Sequence, residues 1–155
     1  MKLAQLHDRL VGNWTGTKKL WMGPPGIPPA VSAAALAVTP VAGGKFLAFA
    51  YAWSFEGRPQ EGLIVLGNDN DAEEASAAFV DSFHMSNKIM QFTGTVDAGG
   101  VASVLGHYPA PSGPDWGWRI AVSPSGAAGL RIAMFNITPD GTEYPAVQAD
   151  FTRAR

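Results

Sequence analysis

No cysteine occurs among the 155 residues. Disulfides, cysteine-based zinc sites and thiolate nucleophiles are therefore excluded, and the chain fits a reducing cytoplasm. Charge is scarce as well. Asp, Glu, Lys and Arg make up 15% of the residues, where an ordinary globular domain has about 25%. The net charge is −2, and the 11 basic residues are scattered. Without a cationic stripe to follow a phosphate backbone, nucleic acid is not expected as a partner. No stretch approaches the ~20 apolar residues of a membrane span, so no membrane partner is expected. The first ten residues, MKLAQLHDRL, lack the continuous apolar core of a signal peptide. Asn13 and Asn136 open Asn-x-Thr triplets, which carry no glycan unless the chain is secreted. Histidine is limited to His7, His84 and His107, without a metal-ligand spacing. The expected cofactor is none, and the expected metal none.

Glycine and proline are abundant instead, at 18 and 12, and Trp, Tyr and Phe number 5, 3 and 8. Many turns and many rings suit an all-β chain. Leu3, Leu6 and Leu10 recur at helical spacing and predict a short helix over residues 2–10, ended by Gly12. The period then changes. Residues 14–22, rich in Thr and Trp, predict a first strand. Residues 23–29 (GPPGIPP) predict a stiff surface loop. Residues 31–41 hold an Ala run with helix propensity, but their valines and flanking Pro and Gly-Gly favour a strand.

The clearest strand is 45–55. Large residues stand at 47, 49, 51, 53 and 55, and Ala or Ser between them, so one face is a wall of rings. Further strands are predicted over 62–67, 75–84, 90–97, 101–108, 116–122, 130–137 and 144–153. A second Pro-rich loop falls at 109–115. Asp69-Asn70-Asp71 with Glu73-Glu74 has the acid density of a calcium loop. It lacks the required Gly and the distant bidentate Glu, and reads as a hairpin turn. About ten strands joined by short connections predict an antiparallel up-and-down β-barrel over 13–153, in one domain spanning 1–155. A sandwich is the alternative, disfavoured because so short a chain with so many strands must close or expose edges.

Several motifs support this by resemblance. LVGNWTG (10–16) resembles the entry of calycin-type barrels, whose Trp plugs one end. GLIVLGND (62–69), FVDSFHMSNKIM (79–90), GPDWGWRI (113–120) and MFNITPDGTEYPAVQADFTR (134–153) resemble the bacterial DUF1579 family. The resemblance implies a lipocalin-like or fatty-acid-binding-protein-like barrel and no settled function. Related nitrobindin-like barrels bind haem through a late-strand histidine. No histidine follows His107 here, so that site does not carry over by position.

The chemical candidates cluster around Asp81-Ser82-Phe83-His84-Met85. On a regular strand Ser82 and His84 share one face and Asp81 the other, unless a bulge or strand end intervenes. Ser82 and His84 would then stand about 6–7 Å apart, too far for a direct nucleophile–base bond, and no nucleophile elbow is present. Trp116 and Trp118 fall on one face of their strand and Arg119 on the other. Arg119 is read either as half of a structural ion pair or as an anion clamp in the cavity. The expected ligand-binding set is His84, Ser82, Asp81, Arg119, Trp118, Trp116, Tyr51 and Trp53, with no catalytic residue assigned. The expected partner is a small hydrophobic or amphiphilic molecule in the barrel. The alternatives are an enzyme using His84 as acid or base and a non-catalytic module forming a homodimer.

Overall fold

The computed structural model describes residues 2–69 and 73–155, so Asn70 and Asp71 of the acidic turn lie outside the described residues. Ten strands follow one another: β1 (Gly12–Leu20), β2 (Ala30–Val41), β3 (Phe46–Phe55), β4 (Arg58–Asn68), β5 (Glu74–Asp81), β6 (Met90–Val96), β7 (Ala102–Tyr108), β8 (Trp116–Ser125), β9 (Gly129–Ile137) and β10 (Glu143–Arg153). Each pairs antiparallel with its neighbours in sequence, and β1 pairs with β10 to close the barrel. Closure leaves no open sheet edge, as the short chain with many strands requires. No helix among the described residues is long and apolar enough to cross a membrane.

Alternation along each strand decides what lies inside. On β3 the ring wall faces inward: Leu47, Phe49, Tyr51 and Trp53 are buried, while Ala50 and Ala52 are exposed. Ile64, Leu66, Phe79, Ile120, Leu130 and Met134 fill the centre with them. Burying each such side chain contributes about 1.5–3 kcal/mol. The interior is thus largely packed, with its free space towards one end.

The other end is shut by the N-terminus. The helix expected over 2–10 is replaced by a 3-10 turn (Leu3–Gln5) and a single α-turn (His7–Leu10). So short a segment cannot sustain a cooperative helix by itself. Its three leucines are nonetheless buried as the spacing predicted, sealing the barrel. Trp14 donates its indole N–H to the Leu10 carbonyl (2.9 Å). The Arg153 guanidinium lies 4.2 Å from the Trp14 ring centroid and donates to the carbonyls of Val11 and Arg9.

The first strand begins and ends two residues before the expected 14–22, because its ladder with β2 opens at Gly12 opposite Val38 and closes at Leu20 opposite Ala30. The strand expected over 75–84 stops at Asp81. Its last ladder bond is Ser82 N–H to the Glu61 carbonyl (2.9 Å). Beyond it the Asp81 carboxylate accepts the amides of Phe83 (2.7 Å) and His84 (2.9 Å), competing with the sheet for the backbone. Met85 and Ser86 follow in the left-handed region, with φ 65° and 54°. The chain therefore folds back over the barrel mouth. Both Pro-rich loops, β1–β2 and β7–β8, leave from this same end, opposite the N-terminal seal.

Candidate functional site

The mouth is built on a register. Tyr51 on β3 faces Gly62 on β4, and Gly62 faces Asp81 on β5. Gly62 has no side chain, so the Tyr51 hydroxyl passes over it and donates to Asp81 Oδ2. An added Cβ at Gly62 would lie 2.9 Å from Asp81 Oδ2 and closer still to Tyr51 Oη. The pair is buried, and burial, followed by the Asp81 charge, holds the Tyr51 hydroxyl well above its ordinary pKa. Asp81 is fully engaged. One oxygen takes Tyr51 and the other takes two backbone amides.

The turn after Asp81 breaks the alternation expected from a continued strand, and His84 changes face while Ser82 does not. His84 comes inside, half-buried, and meets Trp118 at 5.3 Å in a tilted contact and Phe83 at 5.0 Å edge-to-face. Ser82 goes outside, donating to Gln60 Oε1 (2.7 Å) and accepting the Glu61 amide (2.9 Å). Asp81 and His84 are therefore on the interior side and Ser82 is not. A nucleophile–base pairing of Ser82 with His84 is removed by this geometry. Burial lowers the His84 pKa to about 4, with the charge of Asp81 opposing that shift and the charge of Lys18 adding to it. The imidazole is neutral near neutral pH. Among the described residues none hydrogen-bonds to its ring, so no carboxylate orients it as an acid or base.

Phe83 packs against Trp53 (5.3 Å) and Phe55 (5.0 Å). Trp53 and Trp118 are inward, 6% and 9% exposed. Trp116 is half-buried on the same face as Trp118, at the rim. The indole nitrogens of Trp53 and Trp118 and Nε2 of His84 are buried without a hydrogen-bond partner among the described residues. Two of these residues, His84 and Trp118, line a cavity of about 400 Å³ with Met85, Ser86, Lys88, Tyr108 and Pro109. A larger hollow of about 800 Å³ is an open groove across the outer faces of β1 to β5, floored by alanines. None of the three unpartnered nitrogens lines it, so the chemistry points to the mouth.

Arg119 is not at the cavity. It projects from the outer face of β8 and makes a forked ion pair with Glu143 (2.7 and 2.9 Å) over the Phe135 ring. Of the two readings of this residue, the structural ion pair is the one found. His107 is exposed on the outer face of β7.

The residue missed by the sequence reading is Lys18. It sits on β1 facing inward, 3% exposed, with Nζ 3.4 Å from the Trp53 ring centroid and 5.2 Å from that of Tyr51. Desolvation lowers its pKa to about 8, against the opposing pull of Asp81. Alternation contained the signal, since Lys18 shares the parity of the end-plugging Trp14.

Among families, the model described as "Protein of unknown function (DUF1579)" matches residues 4–153, and the chain belongs to that family. No curated protein matches it.

Proposed function

From that membership and the geometry of the mouth, we propose that this DUF1579 barrel is a binding protein for one small amphiphilic molecule. The apolar body of the ligand lies against Met85, Tyr108, Pro109 and the Trp118 ring. Its polar end turns inward to the buried nitrogens. One observation carries this reading: Trp118, which lines the cavity beside His84, buries an indole N–H that has no acceptor among the described residues. An indole N–H can only donate, and leaving a buried donor unpaired costs about 1–3 kcal/mol. An acceptor atom on a ligand removes that cost. The adjoining volume, about 400 Å³, is of the size that small-molecule sites use.

The test is a titration of tryptophan fluorescence with decanol, decanoate and decanal, together with native mass spectrometry of gently purified protein. A saturable fluorescence change with at least one of the three is expected, and Trp118→Phe, which keeps an aromatic ring but removes the donor, should weaken the ligand binding read by native mass spectrometry. No saturable change with any of them, and no co-purified mass, would overturn the reading.

A further inference from the structure

We infer that Lys18 is a covalent capture site, its Nζ condensing with the carbonyl carbon of an aldehyde or ketone to form an imine. The inference rests on the binding function above and names the ligand class for it.

Lys18 is a buried cation without the usual justification. Buried charges are ordinarily paired. Among the described residues no carboxylate lies within ion-pair distance of Nζ, and the Asp81 oxygens are already taken by Tyr51 and two amides. Ring faces hold the ammonium instead, and two rings do not require a lysine for packing. Lys18 lines, with Tyr51, Trp53, Met134 and Phe151, a small enclosed void of about 10 Å³. That is room for about one water-sized group, so only the terminal carbonyl of a ligand fits there. A file of rings leads from Nζ to the mouth: Trp53 at 3.4 Å, then Phe83, His84 and Trp118 at successive spacings of 5.3, 5.0 and 5.3 Å. Phe83 and His84 stand on the turn after β5, between Trp53 on β3 and Trp118 on β8.

Charge selects a carbonyl over a carboxylate. Lys18 and the Asp81 carboxylate already balance inside the barrel, and an anionic ligand would leave a net negative charge in an apolar interior. Imine formation keeps the balance. The free amine attacks the carbonyl carbon. The oxygen then leaves as water, carrying the two protons that the ammonium nitrogen gives up in total. The nitrogen ends as a protonated imine. One positive charge stands at Nζ before and after, against the same ring faces. A pKa near 8 also gives Lys18 roughly a hundredfold more free amine near neutral pH than an ordinary lysine has.

The experiment treats the full chain with decanal and sodium cyanoborohydride, then maps adducts by proteolysis and mass spectrometry. Lys2, Lys19, Lys45 and Lys88 are exposed and serve as internal controls. Expected is an alkyl adduct at Lys18 forming about tenfold faster than at Lys19, with a rate that climbs from about pH 7 to about pH 9 as the free amine appears. Lys18→Met loses this fast adduct and still gives the fluorescence change with decanol. Adducts spread evenly over the surface lysines, with decanol binding intact, overturn the covalent site and leave the binding function standing. If neither decanol, decanoate nor decanal changes the fluorescence and no fast adduct forms, both fall together.

Discussion

Replacing Lys18 by methionine tests the electrostatics of the interior without emptying it, since the two side chains have similar length and the new one carries no charge. The unfolded chain binds a proton at Lys18 up to about pH 10.5, whereas the folded chain gives it up at about 8. A lowered folded pKa on a base means that the unfolded state binds more protons between the two values, so stability rises with pH across that window. The full shift corresponds to a penalty of about 3 kcal/mol below pH 8. Between about pH 7 and about pH 9.5 the wild-type chain recovers about 2 kcal/mol of it. The ring contacts with Trp53 offset part of the penalty, by up to about 2 kcal/mol for a desolvated cation. Lys18→Met should therefore be at least as stable as wild type at neutral pH, with a gain of about 1–3 kcal/mol. Urea unfolding of both proteins at the two pH values gives the difference directly, because every other titrating group cancels in it. The advantage of the variant should shrink by about 2 kcal/mol at the higher pH. A variant several kcal/mol less stable than wild type, or a difference that does not move with pH, would refute a buried and unpaired ammonium.

Three further outcomes follow from the site. Gly62→Ala drives a methyl group into the Tyr51–Asp81 pair and should cost about 2–4 kcal/mol in urea unfolding, with altered near-ultraviolet tryptophan signals; a loss within experimental error would show that the pair is not packed over Gly62. His84 is held at about pH 4 in the folded chain and at about 6.5 in the unfolded one, so its contribution is complete above 6.5 and is lost as the pH falls towards 4. His84→Phe should flatten that acid limb in thermal melts, and an unchanged limb would place the imidazole in solvent. Arg119→Met breaks an exterior pair whose side chains are 27% and 40% exposed. It should cost no more than about 1 kcal/mol and leave the decanol titration unchanged; a lost titration would put Arg119 back in the cavity.

How much of this was legible depends on which forces set each feature. The ring wall at 47, 49, 51 and 53 could be read as one face because side-chain period on a strand is a local property. The inward Trp53 and Trp118 follow from the same rule. Asp81 and Ser82 lie on opposite faces as strand parity expects, but the face of His84 could not be read, because the strand ends at Asp81. That end is decided by a competition between the sheet and the Asp81 carboxylate for two amides. Arg119 was placed on the correct face, opposite Trp118, but which face looks inward depends on closure. Lys18 and Lys19 are adjacent, and strand parity puts only Lys19 outside; that the other face looks into the barrel is again decided by closure.

The sequence alone determined the all-β class, the ten-strand meander, the gathering of the rings on one face of β3 and the family, since alternation, turn residues and motifs are written along the chain. Only the tertiary structure decided what meets at the mouth. Tyr51, Gly62 and Asp81 come from three strands whose register is a property of the pairing between them. Lys18 finds Trp53 across the closed interior. Such juxtapositions arise from long-range closure, which no local pattern encodes, and it is there that the buried cation and the unpartnered nitrogens are brought together.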